Sequence, residues 1–340
     1  MHNTDIAIFV RHLTIGGAQK VAINLSKCFA ERGLKVDLIV FWKEGEFLNK
    51  VHQKVRVVSL DVSKNFYPYR WHRLIKFLLK RQLISFDLDC LIKINAVMMK
   101  IAFRIKKKVD MYPFWLNMLI LKTANYIRQN KPRVILAIDT IPNIVVLKAK
   151  RFLYAPIPIV LNEQTTPSIG FKSDPRKHLI EYWIRTLYPQ SNTIVAVSQG
   201  VAEDLIQNYK VPKEKVKVIF NPVVTDELFD MALEDVSHPW FEQEHSPVIL
   251  AVGRLTKAKD YPTLLKAFSL VRQVRPAKLL ILGEGEERAN LERLAIELGI
   301  QNDVSMPGFV DNPFAFMSKA SVFVLSSAWE GFGNVLVEAL

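Results

Sequence analysis

Short apolar runs alternate with amphipathic stretches along this chain, a pattern typical of strands and helices that follow one another. Ile6–Val10 is the first apolar run. A loop with Gly16 and Gly17 comes next, followed by a helical pattern that Gly33 ends. Val36–Phe41 then forms a second apolar run. This order of strand, loop, helix and strand predicts a parallel sheet.

The same unit recurs along the rest of the chain. Further buried strands are predicted at Val134–Ile138, Ile157–Leu161, Ile194–Val197, Val248–Val252, Lys278–Leu282 and Val322–Leu325. Helices are predicted near 261–274, 286–298 and 312–319, and another one begins at about residue 333. The pattern therefore predicts an α/β fold with doubly wound, Rossmann-like domains.

Residues 221–247 are acidic and less regular, which predicts a connection between two domains. The first domain would span 1–220 and the second 248–340. Ligands of doubly wound domains bind at the carboxyl ends of the strands, and we expect those ends to face a common cleft. Three main strands are few for the second domain, so we expect it to be incomplete and the chain to be truncated.

Composition excludes several classes of protein. Half of the 340 residues are hydrophobic, which excludes a disordered or collagen-like chain. Two cysteines, Cys28 and Cys90, are too few for a disulfide framework. The N-terminus lacks a signal-peptide pattern, and no apolar run reaches the roughly 18 residues of a membrane span. We therefore expect a cytoplasmic protein.

Positive charge is concentrated in one segment. The chain carries a net charge of +13, and residues 64–133 hold sixteen Lys/Arg against three Asp/Glu, so that the remainder is balanced. A balanced protein with one basic segment does not resemble a general nucleic-acid binder, and no recognised nucleic-acid-binding module accompanies the segment. The charge therefore needs a local explanation.

Two segments at predicted strand ends carry candidate chemistry. Glu330 and Glu338 bracket the predicted start of a helix, whose amides attract anions, while the glutamates could reach ligand hydroxyls. Gly253, Arg254 and Lys259 follow the predicted strand Val248–Val252, and Arg and Lys suit phosphate oxygens. Taken alone, the glutamates fit a surface cap and an ordinary helical residue, and the basic segment fits a solvated turn. Their shared place at one sheet edge favours a common ligand. The Gly283-Glu-Gly285 turn lacks a complete dinucleotide fingerprint and stays open between an ordinary turn and a base-binding edge.

Together these residues resemble the GT-B glycosyltransferases of family 4, the retaining, nucleotide-sugar-dependent class. The motifs that carry the resemblance, in the family's order, are Gly16-Gly17-Ala18-Gln19, Ile219-Phe-Asn-Pro-Val223, Val252-Gly-Arg-Leu255 with Lys259, Leu282-Gly-Glu-Gly-Glu286, Pro307-Gly-Phe309 and Glu330–Glu338. They span nearly the whole chain. The resemblance implies a GT-B architecture and, as in bacterial polysaccharide and lipid-linked glycan assembly, a saccharide acceptor on a lipid.

The resemblance also implies roles for individual residues. Arg254 and Lys259 would hold the donor diphosphate and offset charge on the leaving group, and Glu330 would contact the donor sugar. The remaining donor-binding residues would be Gly16, Gly17, Gly253, Glu284, Phe309, Gly331, Phe332, Gly333, Asn334 and, at the ribose, Glu338. Neither a metal nor another cofactor is expected, because the sequence has no clustered His/Asp pattern and Arg, Lys and helix amides can stabilise the departing nucleotide.

The acceptor side departs from the family's pattern. Many members carry a His after the strand predicted at 157–161, where this chain has Gln164. The neighbouring Glu163 could orient or deprotonate an acceptor hydroxyl, or it could be a structural hydrogen-bond partner; both interpretations stay open. Arg185, in a segment similar to the family's, could lie near a lipid pyrophosphate or be an exposed helix residue.

The basic segment combines cationic and apolar residues at helical spacing. The residues expected to meet a membrane are Arg70, Trp71, Arg73, Lys76, Lys80 and Arg81. Such a helix suits an anionic membrane surface, although an ordinary soluble helix has the same pattern. We therefore expect a glycosyltransferase at the inner face of the cell membrane that uses a nucleotide-sugar, most simply UDP-linked. The alternatives are a UDP-sugar 2-epimerase of the same fold and a non-catalytic sugar-nucleotide or lipid-binding module.

Overall fold

A computed structural model describes residues 4–61, 112–153, 156–242 and 246–340. The chain divides into two compact units, Met1–Phe220 and Asn221–Leu340. Each unit is built on one parallel β-sheet, as the alternation of apolar runs and helical stretches predicts.

The first unit contains a seven-stranded sheet in the order β3-β2-β1-β4-β5-β6-β7. Its strands are β1 (Ile6–Val10), β2 (Val36–Val40), β3 (Arg56–Ser59), β4 (Val134–Ile138), β5 (Ile159–Glu163), β6 (Thr193–Ala196) and β7 (Val216–Val218). Every neighbouring pair is parallel. In the centre, Ile8 of β1 lies opposite Leu38 of β2 and Leu136 of β4. The strand order reverses between β1 and β4, which makes their carboxyl ends the expected ligand-binding edge.

Helices and short 3-10 turns connect these strands. The helices in the described residues of this unit are Gly17–Glu31, Tyr112–Asn130, Thr140–Ala149, Pro167–Gly170, Lys177–Leu187 and Gln199–Tyr209. The 3-10 turns are Glu46–Lys50, Lys150–Phe152, Tyr188–Gln190 and Lys213–Lys215. Strands β1 and β2 are buried throughout, because helices cover both faces of a parallel sheet.

A buried charged residue lies within the apolar strand β2. Asp37, in the middle of β2, is 1% exposed. Its carboxylate accepts hydrogen bonds from Thr4 Oγ1 (2.8 Å), from Arg56 Nε (2.8 Å) and from the hydroxyl of Tyr126. Burial alone would raise the pKa of Asp37, but the hydrogen bonds from Arg56, Tyr126 and Thr4 outweigh burial and hold the pKa below its ordinary value.

The second unit contains a four-stranded sheet in the order β10-β9-β8-β11. Its strands are β8 (Val248–Val252), β9 (Lys278–Leu282), β10 (Val304–Gly308) and β11 (Val322–Phe323). Its helices are Asp226–Ala232, Pro239–Glu242, Tyr261–Val274, Arg288–Glu297, Pro313–Lys319 and Asn334–Glu338, with a 3-10 turn at Lys257–Lys259. Apolar side chains from both faces of β8 and β9 form the core.

The structure confirms the predicted order of elements and corrects several of their bounds. The strand predicted at 157–161 lies at Ile159–Glu163, so Asn162 and Glu163 belong to the strand and not to the loop after it. Pro158 has no backbone N–H that could pair with a neighbouring strand, so β5 begins one residue later, at Ile159. The carbonyl of Pro158 still accepts a hydrogen bond from Ile135 N of β4 (2.9 Å). The strand predicted at 322–325 is only two residues long.

The second sheet has four strands, where the sequence predicted three. The missed strand, β10, has the sequence VSMPG. Its proline and glycine are residues that rarely occur inside strands, so the sequence pattern did not predict a strand there. Residues 221–247, predicted as a connection, contain two short helices and are part of the second unit. Asn312 Nδ2 donates to Met231 O (2.7 Å), which ties the first of those helices to Pro313–Lys319.

The expected membrane-binding residues, Arg70, Trp71, Arg73, Lys76, Lys80 and Arg81, lie outside the described residues. Within the described ranges, no helix is long and apolar enough to cross a membrane.

Candidate functional site

In the second unit, three loops meet at the carboxyl ends of β8, β9 and β10. Gly253 N donates to Leu282 O (2.9 Å), and Leu255 N donates to Glu284 O (2.9 Å), which joins the loops after β8 and β9. Gly283 N donates to Gly308 O (2.8 Å), which joins the loops after β9 and β10. These backbone hydrogen bonds fix the edge at which doubly wound domains bind ligands.

Close approach of the loops requires a glycine at position 283. Gly283 has a φ of +144°, and a Cβ atom there would lie 2.0 Å from the carbonyl oxygen of Gly253. No side chain fits at that distance without moving the backbone. The predicted Gly283-Glu-Gly285 turn therefore has a packing role in fixing the loop that carries Arg254.

An ion pair joins the two segments that the sequence singled out. Lys259 Nζ lies 2.5 Å from Glu330 Oε1, and the two side chains are 20% and 30% exposed. Ser327 Oγ donates to the same carboxylate oxygen (2.7 Å). The structure thus brings Lys259 and Glu330 together, as their shared place at one sheet edge predicts.

Backbone contacts hold the two partners of this ion pair in place. Ala328 N donates to Ala258 O (2.9 Å), and Ser326 Oγ donates to Lys259 O (2.8 Å). The loop after β11 is therefore attached to the 3-10 turn Lys257–Lys259. A cation and a carboxylate are thereby held together at the carboxyl ends of β8 and β11.

Arg254 follows β8 with an exposed side chain. Its guanidinium forms no hydrogen bond or ion pair with any residue that the structure describes, whereas its neighbour Leu255 is fully buried. The buried leucine anchors the turn while the arginine extends to solvent. The arrangement leaves five N–H donors available to phosphate oxygens.

Tyr261 lies beneath this loop. A Cβ atom at Gly253 would lie 3.0 Å from the Tyr261 hydroxyl and 3.1 Å from Lys259 Cε, so the stem of Lys259 packs along the glycine. Burial raises the pKa of Tyr261, and the nearby charge of Glu330 raises it further. Tyr261 therefore remains a neutral hydroxyl at physiological pH.

The segment 331–338 begins its helix one residue later than predicted, at Asn334, and the helix has five residues. Gly333 precedes it with a φ of +77°, and Asn221 Nδ2 donates to Asn334 Oδ1 (2.9 Å). Gly331, Phe332 and Glu338 are all half-buried.

Two of the predicted donor-binding residues, Glu284 and Phe309, lie in the loops after β9 and β10. Glu284 is exposed, and its carboxylate accepts from Arg288 Nη1 (2.5 Å). Arg288 also donates to Met306 O (2.6 Å), which links it to β10. Phe309 is 42% exposed. The structure places both residues on adjacent loops of one sheet edge.

In the first unit, the Gly16-Gly17 loop follows β1 at the point where the strand order reverses. Gly17 is the first residue of the helix Gly17–Glu31, and Gly16 O accepts from Lys20 N (3.1 Å). Glu46, the first residue of the 3-10 turn Glu46–Lys50, contacts this loop, because its Oε2 accepts a hydrogen bond from Ile15 N (3.2 Å). The loop lies at the edge where a ligand is expected.

Glu163 is the last residue of β5 and is fully buried. Its carboxyl group accepts from Thr140 Oγ1 (2.7 Å), Tyr188 Oη (2.5 Å) and Asn143 Nδ2 (3.4 Å). Burial, together with the charge of Asp139, raises the pKa of Glu163 to about 8, although these hydrogen bonds partly offset the rise. This enclosed position favours the structural interpretation of Glu163 over that of a base for an acceptor hydroxyl.

The other two acceptor-side residues have different surroundings. Gln164 is 8% exposed and donates to the side-chain oxygen of Asn162. Arg185 is exposed, and its guanidinium donates to Asn208 O (2.7 Å), near the end of the helix Gln199–Tyr209. In this structure Arg185 therefore caps a helix.

The sequence missed several residues that support these sites. They are Asp139, Thr140, Asn143 and Tyr188 around Glu163, and Ser326 and Ser327 beside Lys259 and Glu330. Among these residues, Asp139, Ser326 and Ser327 could have been found from the sequence, because they directly follow apolar runs that predict strands. Within the described ranges, no group of three or more His, Cys, Asp or Glu residues could hold a metal ion.

Two family models match consecutive parts of the chain. Residues 101–227 match "Glycosyltransferase Family 4", and residues 234–340 match "Glycosyl transferases group 1". The fold is similar to that of HepE from Anabaena, solved in complex with UDP and glucose (TM-score 0.66, 17% identity, 99% of this chain and 78% of that chain). The chain has the GT-B fold, and both matched segments are similar to glycosyltransferase families.

Curated relatives share up to about a third of the residues in the regions they match. The chain is 34% identical over 200 residues to N-acetylgalactosamine-N,N'-diacetylbacillosaminyl-diphospho-undecaprenol 4-alpha-N-acetylgalactosaminyltransferase of Campylobacter jejuni, covering 58% of this chain and 52% of the relative. It is 33% identical over 152 residues to the lipopolysaccharide core biosynthesis glycosyltransferase LpsE of Rhizobium meliloti, which covers 45% of this chain and 42% of that relative. The matched regions thus span about half the length of these relatives.

Proposed function

We propose that this chain binds a nucleotide-sugar, most simply a UDP-sugar, and transfers the sugar to a hydroxyl group of a lipid-linked saccharide with retention of anomeric configuration. The second unit would bind the donor and the first unit would bind the acceptor. The observation that carries the proposal is the ion pair of Lys259 and Glu330, together with the exposed side chain of Arg254 in the loop that leads to Lys259.

The three side chains suit the charges of a nucleotide-sugar. Arg254 and Lys259 are cations at one sheet edge, where they would bind the diphosphate and stabilise the negative charge that grows on it as the sugar leaves. Glu330 would hold Lys259 in position before the donor binds and would then accept hydrogen bonds from sugar hydroxyls. Ser327 would keep that carboxylate oriented in both states.

The proposed acceptor follows from the relatives. The Campylobacter jejuni relative is named for a diphospho-undecaprenol-linked saccharide, and the Rhizobium meliloti relative for the lipopolysaccharide core. Both acceptors are glycans on lipids. An enzyme that uses such an acceptor must reach a membrane surface, and the basic segment 64–133 supplies the charge for contact with anionic lipid at the inner face of the cell membrane.

We further propose that transfer requires neither a metal ion nor another cofactor. Arg254 and Lys259 can supply the positive charge that a divalent cation would otherwise bring to the diphosphate. Transfer should therefore survive removal of divalent cations with EDTA. A loss of activity that magnesium restores would overturn this part of the proposal.

The experiment that tests the function is a donor panel. The purified chain is incubated with radiolabelled UDP-, GDP- and ADP-sugars and with a membrane extract, and the label is followed into the lipid fraction. We expect one UDP-sugar to label lipid, and NMR of the product should show the anomeric configuration of the donor. Label in the lipid fraction without UDP release, or with inverted configuration, would contradict the proposed reaction.

Matched variants make the donor panel specific. Arg254→Ala should lose transfer and bind UDP more weakly by calorimetry, whereas Arg293→Ala removes the same charge from an exposed helix and should change neither. Isomerisation of the UDP-sugar without an acceptor would indicate the epimerase. Nucleotide binding with no turnover of any donor would indicate a non-catalytic binding module.

A further inference from the structure

Glu163 is enclosed by hydrogen-bond donors from several segments. Thr140 is the first residue of the helix after β4, Tyr188 begins a 3-10 turn, and Thr165 follows β5. Their hydroxyls donate to the Glu163 carboxyl group at 2.7, 2.5 and 3.4 Å. Glu163 and Tyr188 are both completely inaccessible to solvent. A single side chain therefore joins elements that follow two neighbouring strands.

No positive charge compensates this carboxyl group. Among the described residues, no Lys, Arg or His donates a hydrogen bond to Glu163 or forms an ion pair with it. In the part of the chain that the structure describes, the titratable groups that interact electrostatically with Glu163 are Asp139, Tyr188 and Tyr209, each of which is neutral or negative at physiological pH. An ionised carboxylate in this position would be a buried charge beside a second carboxylate, which is unfavourable.

The same network fixes the loop after β4. Asp139 N donates to Asn162 O (2.9 Å), and the Asp139 side chain accepts from Thr140 N (2.9 Å). Thr140 in turn donates its hydroxyl to Glu163. Because β4 borders β1 at the point where the strand order reverses, the position of Asp139 determines part of the ligand-binding edge of the first unit.

We propose that Glu163 is a positioning residue that acts as an uncharged carboxylic acid: it holds the loops after β4 and β5 together, and its ionisation releases them. It would not touch substrate. Its contribution to the reaction rests on the proposed function, in which the first unit binds the acceptor, whereas its uncharged state is a property of the folded chain alone.

The raised pKa of Glu163, about 8, agrees with this geometry. The folded state would therefore keep a proton that an unfolded glutamate, with a pKa of about 4.3, has lost at neutral pH. Raising the pH above about 8 would remove that proton and place a charge in the network. Gln at this position has nearly the same shape and cannot ionise.

The first test detects the proton directly. In the wild-type chain labelled with 13C at the glutamate side-chain carboxyl, one resonance should titrate near pH 8. Glu163→Gln should remove that resonance, and Glu214→Gln, at an exposed position, should not. A spectrum in which every glutamate is ionised at pH 7 would overturn the proposal, even if the Gln variant failed to fold.

The second test uses equilibrium unfolding and needs no substrate. Between about pH 5 and pH 8, the unfolding constant of the wild-type chain should rise relative to that of Glu163→Gln by about tenfold per pH unit, and the ratio should then level off. Over this range the Glu163 carboxyl group of the wild-type chain binds a proton in the folded state but not in the unfolded state, whereas glutamine at this position binds none in either state. A constant ratio from pH 5 to pH 9 would contradict an uncharged Glu163.

The third test concerns positioning. Once the donor panel has identified a substrate, wild-type kcat/KM for the acceptor should fall above about pH 8, and Glu163→Gln should keep its activity at that pH. Glu163→Ala should lose activity at every pH. Identical pH profiles for wild type and Glu163→Gln would overturn the positioning role. The absence of transfer by any variant would instead contradict the proposed function and leave the results of the first two tests valid.

Discussion

Lys259 Nζ and Glu330 Oε1 lie 2.5 Å apart and join segments that are 71 residues apart in the sequence. One follows β8 and the other follows β11, two strands that pair in parallel. Neither side chain is deeply buried, so the pair has a small effect on stability. If the pair belongs to the proposed donor site, its loss should therefore be felt in binding and transfer and not in folding.

Removal of either partner should therefore affect transfer far more than stability. We expect Lys259→Ala and Glu330→Ala each to lower kcat by at least about 100-fold, the scale of a lost charge-stabilising group. The free energy of unfolding should change by no more than about 1 kcal/mol, because the pair is partly exposed to water. Steady-state transfer assays and denaturant unfolding of the same preparations provide the two measurements.

Lys257 offers a matched control for this prediction. It belongs to the same 3-10 turn as Lys259 and is exposed. Lys257→Ala should retain wild-type transfer. Wild-type rates in Lys259→Ala or Glu330→Ala, or an equal loss in Lys257→Ala, would show that the ion pair is not part of the donor site.

The sequence was sufficient to predict that the segments after β8 and β11 lie at one edge of the second sheet. Gly253, Arg254, Lys259 and Glu330 all follow apolar runs, and the carboxyl ends of parallel strands lie at one edge of a sheet. It could not show that Lys259 and Glu330 bind each other, or that Ser327 supports them, because side-chain pairing across loops depends on backbone positions that periodicity does not specify.

Polar residues in strands limited the prediction of the first unit. The strand β5 includes Asn162 and Glu163, which sequence patterns place in a loop because polar residues rarely lie in buried strands. Partners elsewhere in the fold, such as Tyr188 and Thr140, satisfy the polar groups there. The strands β3, β7 and β10 were missed because they are short, partly exposed or contain proline.

Gly283 should be intolerant of a side chain. A Cβ atom at this position would lie 2.0 Å from Gly253 O, so we expect Gly283→Ala to destabilise the second unit by about 1 to 3 kcal/mol through overpacking. It should also weaken UDP binding, because the displaced loop carries Arg254. Denaturant unfolding and calorimetric titration with UDP measure the two effects.

Gly299→Ala separates overpacking from backbone strain. Gly299 also has a positive φ, +68°, but a Cβ atom there would meet nothing within 4 Å. Its substitution should cost only the strain of a left-handed residue, about 1 kcal/mol, and leave UDP binding unchanged. If the two alanine variants lost the same stability and both bound UDP normally, close packing of the loops would not matter.

The basic segment should direct the chain to anionic lipid. Replacing Arg73, Lys76, Lys80 and Arg81 by Glu should release the chain from vesicles that contain anionic lipid, since each basic residue near such a surface contributes about 1 kcal/mol. Sedimentation with vesicles at low and high salt measures the binding, which should weaken as salt rises. Neutral phosphatidylcholine vesicles should bind neither protein.

A charge-matched variant tests whether position or net charge is responsible for lipid binding. Four exposed basic residues elsewhere in the first unit serve for this purpose: Arg32, Lys54, Lys210 and Lys213. Their replacement by Glu changes the net charge equally and should leave vesicle binding nearly intact. Equal losses in the two variants would indicate non-specific attraction, and no loss in the first would indicate that the basic segment does not contact membranes.

Asp37 should make the stability of the first unit sensitive to acid. Its carboxylate is buried and hydrogen-bonded by Arg56, Tyr126 and Thr4, and its pKa is below the ordinary value. A lowered folded-state pKa means that the unfolded chain takes up this proton first as the pH falls. The stabilisation is therefore complete above the unfolded pKa, about 3.9, and is lost as the pH falls through the folded pKa.

Asp37→Asn tests this pH dependence, because it removes the charge and nearly preserves the shape. At pH 7 we expect it to lower the free energy of unfolding by about 2 to 3 kcal/mol, the scale of hydrogen bonds to a buried charge. As the pH falls below about 3.9 the two curves should approach each other, because the unfolded chain then takes up the proton before the folded chain does. Denaturant unfolding at several pH values measures the difference, with the exposed Glu31→Gln as a control that should show none. A difference that is independent of pH would mean that the shape of Asp37, and not its charge, stabilises the sheet.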